Sequence, residues 1–380
     1  MKNKESHNMH FIDLPAQYQE LKQEINERIQ TVLDHGQYIM GPEVAELEGQ
    51  LAEYVGVKHC VSCANGTDAL QLLYMAYGVC RGVAVFCTDV TMVATIEPAC
   101  MLGATPVFCD IDRETYNMSA DSLERQIRAV QEEGTYRPKA VVAVDIFGNP
   151  CDYEAISAVC RKHNLLLIED AAQSFGASIR GKRCGSFGDS ATTSFFPAKP
   201  LGCYGDGGAI FTNDGILAKK CDSLRIHGKG PGGKYINTRI GLNSRLDTIQ
   251  AAILLAKLGI FPAELEKRQA AAKYYSEALS DKFTTPYIAE DAQSVYAQYV
   301  LLARDSSERD ATIKRLNAAG IPGMVYYPMP MHRLPVFKSK KQYGETFEAA
   351  DDYSSRTFSI PFHPYLTKEE QDKVITAALG

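Results

Sequence analysis

Apolar positions along this chain follow two periods that alternate. Between residues 17 and 35, Leu21, Ile25, Ile29, Val32 and Leu33 recur at three- and four-residue steps and stop at Gly36, which predicts an amphipathic helix. A second helix is predicted over 44–54, closed by Gly56. Short apolar runs then appear at 59–62, 83–87, 105–110, 140–145 and 165–169. Helical patterns separate them at 91–102, 120–131 and 153–163, with a polar loop over 131–139. A further helix is opened by Asn65-Gly66-Thr67-Asp68 and carried by Leu70, Leu73 and Met75. Wholly apolar strands alternating with helices predict a parallel sheet covered on both faces.

From Asp189 the spacing shortens, with strands predicted at 191–196 and 208–212 before the turn Asn213-Asp214-Gly215. A helical pattern over 246–258 is expected to be interrupted by Pro262 and to resume over 263–279. A strand at 295–302, a helix at 307–319 and a strand at 325–327 complete the pattern. The expected fold is α/β. A large domain over residues 1–247 holds N-terminal helices and a mostly parallel, helix-covered sheet, and a smaller α/β domain spans 248–380.

Composition narrows the function classes. The 380 residues are 45% hydrophobic and 23% charged, ordinary for a globular chain of two domains. A net charge of −6 offers no basic field for nucleic acid. No apolar run is read as approaching the ~20 residues of a membrane span, and residues 1–10 are polar, without the apolar centre of a leader. A cytoplasmic location is therefore expected. The 11 cysteines are scattered through apolar runs and read as small buried hydrophobes in a reducing compartment. Cys60-Val61-Ser62-Cys63 has metal-ligand spacing but no second pair, so no metal site is expected.

The chemistry concentrates in Thr193-Ser194-Phe195-Phe196-Pro197-Ala198-Lys199-Pro200-Leu201-Gly202-Cys203-Tyr204-Gly205-Asp206-Gly207-Gly208-Ala209. A lysine among aromatic, apolar and glycine residues loses part of its hydration, which lowers its pKa and frees its amine to attack a carbonyl. The same stretch also reads as a strand–turn–strand with a structural lysine. Asp170 follows the apolar run 165–169, at the strand end where ligands collect in parallel sheets, and reads equally as a cap or turn residue. Gly66 and Thr67 stand between a strand and a helix, where free amides and a hydroxyl suit a phosphate and where Thr67 could equally be a plain cap. Arg245 could be an ion-pair partner of Asp247.

The run from Ser194 through Lys199 to Gly208 resembles the cofactor-lysine motif of the DegT/StrS nucleotide-sugar aminotransferases. These are pyridoxal 5′-phosphate (PLP) enzymes of the aspartate-aminotransferase fold, and the resemblance extends from Phe11 to Leu366. It implies that Lys199 anchors the cofactor and moves protons. It implies that Asp170 in Asp170-Ala171-Ala172-Gln173 pairs with the ring nitrogen, with Gln173 beside the ring, and that Gly66, Thr67 and Ser194 hold the phosphate. Gly241-Leu242-Asn243-Ser244-Arg245 is similar to a family segment that reaches the neighbouring subunit, which implies a homodimer whose Asn243 binds the partner's phosphate and whose Arg245 lines the partner's substrate pocket. Tyr326, Tyr327, His332 and His363 fall at family positions near the substrate. Two departures stand out. Val90 and Met92 occupy the loop that usually presents an aromatic residue to the ring, and Tyr326-Tyr327-Pro328 replaces the usual His-Tyr-Pro. The branch most resembled takes UDP-2-acetamido-2-deoxy-3-oxo-glucuronate and glutamate for bacterial surface polysaccharides such as O-antigen. dTDP-3-oxo-6-deoxyhexose and 4-oxo-sugar enzymes, and a non-catalytic regulator of the same fold, are the alternatives.

Overall fold

The structure, a computed structural model, describes residues 9–233 and 235–380, so most of the 1–10 stretch read for a leader lies outside it. The elements in order are α1 (Leu14–His35), α2 (Pro42–Val55), β1 (His59–Cys63), α3 (Gly66–Ala76), β2 (Val83–Thr88), α4 (Glu97–Met101), β3 (Thr105–Cys109), α5 (Ala120–Glu133) and β4 (Arg137–Val144). There follow α6 (Tyr153–His163), β5 (Leu166–Asp170), β6 (Ser178–Ile179), β7 (Lys182–Arg183), β8 (Ser190–Ser194), β9 (Gly208–Thr212), α7 (Gly215–Leu224) and α8 (Thr248–Leu279). The C-terminal part adds β10 (Ala292–Gln293), β11 (Tyr299–Leu302), α9 (Ser306–Ala318), α10 (Glu348–Arg356), β12 (Thr357–Ile360) and α11 (Lys368–Leu379).

Seven strands form one sheet in the order β1-β9-β8-β5-β4-β2-β3. Only β9 runs against its two neighbours, β1 and β8; β8, β5, β4, β2 and β3 are parallel. The mixed α/β architecture with a mostly parallel sheet is as expected. Side chains alternate between its faces. Val85, Val142, Ile168 and Ile210 pack with α3 on one side. Phe195 and Phe211 meet α2 and α8 on the other, and Phe86, Val141 and Leu167 meet α5 and α6. The C-terminal part has its own core, in which Tyr299, Leu301, Phe358 and Ile360 of the antiparallel β11–β12 pair meet the second half of α8.

Several details differ from the sequence expectation. α8 runs unbroken through Pro262. The proline is exposed, where water can take the carbonyl it leaves unbonded, and buried Phe261 and Leu265 hold the helix on either side. α8 is also, among the described residues, long and apolar enough to cross a membrane by length and composition, contrary to the reading that no run approaches that length. Most of its apolar residues are buried against the sheet, α1 and the C-terminal core, as in a core helix. Residues 91–102 are not one helix. Val93–Thr95 is a single 3-10 turn and α4 starts only at Glu97, beside Pro98, which lacks the amide a longer helix would need. Residues 325–327 are not a strand. Met324 makes an isolated bridge to Ser359, and the strand paired with β11 is β12. The strand expected over 295–302 is confined to β11.

Candidate active site

The carboxyl ends of β5, its neighbour β8 and, one strand further on beyond β9, β1 lie at the same end of the sheet, and each delivers one part of a candidate site. β1 ends at Cys63 and leads through Asn65 into α3. The Asn65 side chain caps that helix by accepting from the Asp68 amide at 2.8 Å, so the cap is Asn65 rather than Thr67. The first amides of α3, at Gly66 and Thr67, have no partner within the helix and point outward with the positive end of its dipole. β8 ends at Ser194, which meets Gly66 closely: a Cβ at Gly66 would lie 2.8 Å from the Ser194 Cβ. A Cβ at Gly208 would lie 2.4 Å from the Asn65 carbonyl carbon, so these glycines are what lets the three segments converge.

β5 ends at Asp170, in register with Thr192 of β8, so Asp170, Thr192 and Ser194 project from the same face as α3. The Thr192 hydroxyl is buried there without a hydrogen-bond partner. Asp170 is itself buried. Its Oδ2 accepts from the Thr95 hydroxyl at 2.9 Å and its Oδ1 from the Ala172 amide at 3.1 Å. Burial raises its pKa, opposed by those two donors and by Lys199. Lys199 is the mirror case: burial lowers its amine and Asp170 opposes the shift. The two groups are within electrostatic reach, yet among the described residues no carboxylate lies within 4.0 Å of the amine. The loop that carries Lys199 is fixed from behind by α8. Buried Lys257 donates to the Gly202 carbonyl at 2.6 Å and lies 4.1 Å from the centre of the Tyr204 ring, and Gln250 accepts from the Tyr204 amide at 2.9 Å. Burial pushes the Lys257 amine down to about 8. Sequence reading singled out neither Lys257 nor Thr95.

Gln173 sits where the sheet meets the C-terminal part. Its Oε1 accepts from the Phe147 amide at 2.7 Å, and its Nε2 donates to the Tyr327 hydroxyl at 3.3 Å. Burial pushes Tyr327 up to about 12, so it is a neutral phenol. Tyr326 is half-buried beside Phe11, and its carbonyl accepts from Tyr353 at 2.6 Å. His332 is buried: Nδ1 is 2.5 Å from Asp89 Oδ2, and the ring stacks on Phe347 at 4.4 Å. It pins the loop after β2, and its Nε2 lies 3.6 Å from Asp351. His363 is also buried, its Nδ1 lacks a partner, and burial pushes its pKa down to about 4. Of the two residues expected on the ring face, Val90 is absorbed into the core and Met92 is 53% exposed.

Asn243 and Arg245 share a cleft whose lining does not include Lys199. They line this cleft, of about 380 Å³, with Ala64, Gly205, Asp206, Asp247 and Gln250. Arg245 makes no ion pair with Asp247: among the described residues no carboxylate lies within 4.0 Å of it. Beside this cleft, Tyr38, Ile39 and Met40 are exposed, and Ile39 bridges Asp247. Asp145, Glu169 and Cys184 form a buried group whose ligand atoms lie within 4.8 Å of one another. Its carboxylates are already taken, Asp145 by Cys151, Tyr153 and Ser174, and Glu169 by the Gly185 and Phe187 amides.

A desolvated amine, a buried carboxylate and a helix start with free amides thus meet at the carboxyl end of the sheet. The chain matches the DegT/DnrJ/EryC1/StrS aminotransferase family over residues 19–379, and it belongs to that family. It is an aminotransferase. It is 47% identical to the UDP-2-acetamido-2-deoxy-3-oxo-D-glucuronate aminotransferase of Pseudomonas aeruginosa, over 97% of this chain and 99% of that one. It is 39% identical to a pleiotropic regulatory protein of Geobacillus stearothermophilus, over 97% of each chain. Among solved structures, a DegT DnrJ EryC1 StrS aminotransferase from Brucella abortus superposes with a TM-score of 0.95, at 46% identity, covering 98% of this chain and 99% of that one. The Bacillus subtilis protein ntda, solved with bound cofactor PMP, superposes with a TM-score of 0.87 at 27% identity, over 100% of this chain and 86% of that one.

Proposed function

We propose that this chain uses PLP to move an amino group from glutamate to the keto carbon of a nucleotide-linked sugar, UDP-2-acetamido-2-deoxy-3-oxo-glucuronate. The observation that carries the chemistry is the Lys199–Asp170 pair, a half-buried amine and a buried carboxylate whose charges act on each other with no ion pair between them. The nearness of the Pseudomonas aeruginosa enzyme supports the sugar. The residues present fit the cofactor. Free amides at Gly66 and Thr67 with the Ser194 hydroxyl suit a phosphate, and the glycine clearances keep that cup open. Asp170 suits a protonated ring nitrogen, and Gln173 stands beside it.

When bound, PLP supplies an aldehyde that captures amines and a ring that accepts electrons. The chain's own residues do the rest. Lys199, lowered by burial, anchors the cofactor and is the base that takes a proton from the donor's α-carbon and returns one to the sugar carbon. Asp170 keeps the ring nitrogen charged. Tyr326 and Tyr327 border the sugar side, and His332 holds the loop behind them. We read residues 1–247 as the cofactor-binding domain and 248–380 as the smaller domain. The eleven unpaired cysteines fit a reducing, cytoplasmic setting.

The partner is a second copy. Exposed Tyr38, Ile39 and Met40 beside the cleft form an apolar surface that calls for a cover, and uncommitted Arg245 suits a uronate carboxylate across that interface. If each site takes Lys199 from one chain and Arg245 from the other, mixing inactive Lys199→Ala and Arg245→Ala chains gives hybrid dimers with one intact site. Activity then returns to about a quarter of wild type by random pairing. Mixtures as inactive as their components contradict the shared site.

A glutamate-dependent turnover panel of UDP- and dTDP-linked 3-oxo and 4-oxo sugars tests the substrate. The UDP-3-oxo-uronate is expected to show the highest kcat/KM. Reaction with 4-oxo sugars alone contradicts the reading, and no turnover of any sugar favours a regulator, the role named for the Geobacillus relative.

A further inference from the structure

Asp170 is held by a chain of buried hydroxyl groups. Thr95 donates to its Oδ2 at 2.9 Å, and the Thr91 and Thr95 hydroxyls are 2.9 Å apart. An ionised carboxylate can only accept, so the single Thr95 proton goes to Asp170 and Thr95 accepts in turn from Thr91. The Thr95 carbonyl accepts from the Tyr74 hydroxyl at 2.7 Å. Tyr74 is fully buried on α3, the helix whose first residues are Gly66 and Thr67. Thr91 and Thr95 are buried too, at 5% and 2% exposure, so water does not satisfy these hydroxyls. A valine would fill the same space, and each hydroxyl is tolerated in this core only because it has a partner.

We infer that Tyr74 and Thr95 form a strut between the phosphate-binding helix start and Asp170, and that Thr95, backed by Thr91, is a positioning residue that aims the Asp170 carboxylate at the cofactor's ring nitrogen. The inference rests on the proposed role of Asp170. One end of the strut fixes α3 and the other occupies Oδ2, while the Ala172 amide occupies Oδ1, so the carboxylate cannot rotate. Removing the Thr95 hydroxyl frees that rotation and removes a donor that favours the charged form. The carboxylate then competes with the ring nitrogen for its proton.

The test compares Thr95→Val, Thr95→Ser and Asp170→Asn. In the cofactor-free protein, the Asp170 carboxyl is followed by NMR with carbon-13 aspartate, the Asp170→Asn chain assigning its signal. Thr95→Val is expected to titrate about one to two pH units higher, and Thr95→Ser to return to the wild-type value. With PLP bound, the first half-reaction with glutamate is expected to slow about tenfold or more in Thr95→Val at unchanged KM, and to recover in Thr95→Ser. If Thr95→Val does not fold, Thr91→Val serves, with smaller shifts in the same directions. Wild-type titration or wild-type half-reaction rate in the valine variant overturns the strut. Failure of the functional reading looks different: Asp170→Asn itself would keep the wild-type rate, whatever Thr95 does.

Discussion

Lys199→Ala is expected to abolish transamination, with a fall of about 10⁴ to 10⁶-fold, the scale at which loss of a covalent nucleophile leaves only binding effects. The size follows from the two tasks one amine performs. Without it the cofactor has no covalent anchor, and the proton on the donor's α-carbon has no base. Burial keeps Lys199 available for both, because the amine is lowered by desolvation while Asp170 limits the drop. The fold is not expected to suffer. Lys199 makes no ion pair among the described residues, and replacing a poorly solvated amine by a methyl removes a burial cost. Absorbance of the bound cofactor, steady-state turnover and a thermal melt check the three statements together.

Asp170→Asn is expected to lower kcat by about 10² to 10⁴-fold while leaving the cofactor-free protein as stable as wild type or more so. Asparagine keeps the shape: its carbonyl oxygen can accept from the Ala172 amide while its NH2 donates to the Thr95 hydroxyl, which then turns its own proton away, but it cannot hold a positive ring nitrogen. The stability side follows from linkage. The folded pKa of Asp170 is raised by burial. The stability it contributes is thus fully present below its unfolded pKa and lost as pH rises through the folded value, so at neutral pH the ionised carboxylate is a burden. The mutant's advantage should shrink as the melt is repeated at lower pH. A mutant that is both inactive and clearly less stable at neutral pH contradicts this account of Asp170.

Much of the candidate site, which the substitutions above are yet to test, was legible in the sequence because it lies in local patterns. The strand–loop–helix start at Asn65-Gly66-Thr67, the strand end at Asp170 and the lysine loop each advertise themselves through short-range chemistry, and the sheet brings them to one edge. What was not legible is what holds them there. Thr95 lies 75 residues from Asp170 and Lys257 lies 55 from Gly202. Neither has a local signature, and Lys257 sits inside the otherwise apolar run from Ala251 to Ala263 in the first half of α8. β12 is four residues long, too short to show a period, and α8 overrode its proline because buried Phe261 and Leu265 hold it on either side. His332 fell at a family position near the substrate, but its partner Asp89 lies 243 residues away, and only the fold shows that Nδ1 is engaged there.

The central claim is that one desolvated amine, that of Lys199, carries the cofactor, and its covalent position tests this most directly. The purified protein is loaded with PLP, the carbon–nitrogen bond is reduced with borohydride, and the modified peptide is sequenced by mass spectrometry. The label is predicted on Lys199 alone. A label on Lys257 or another lysine, or no stable label while turnover continues, would contradict the account.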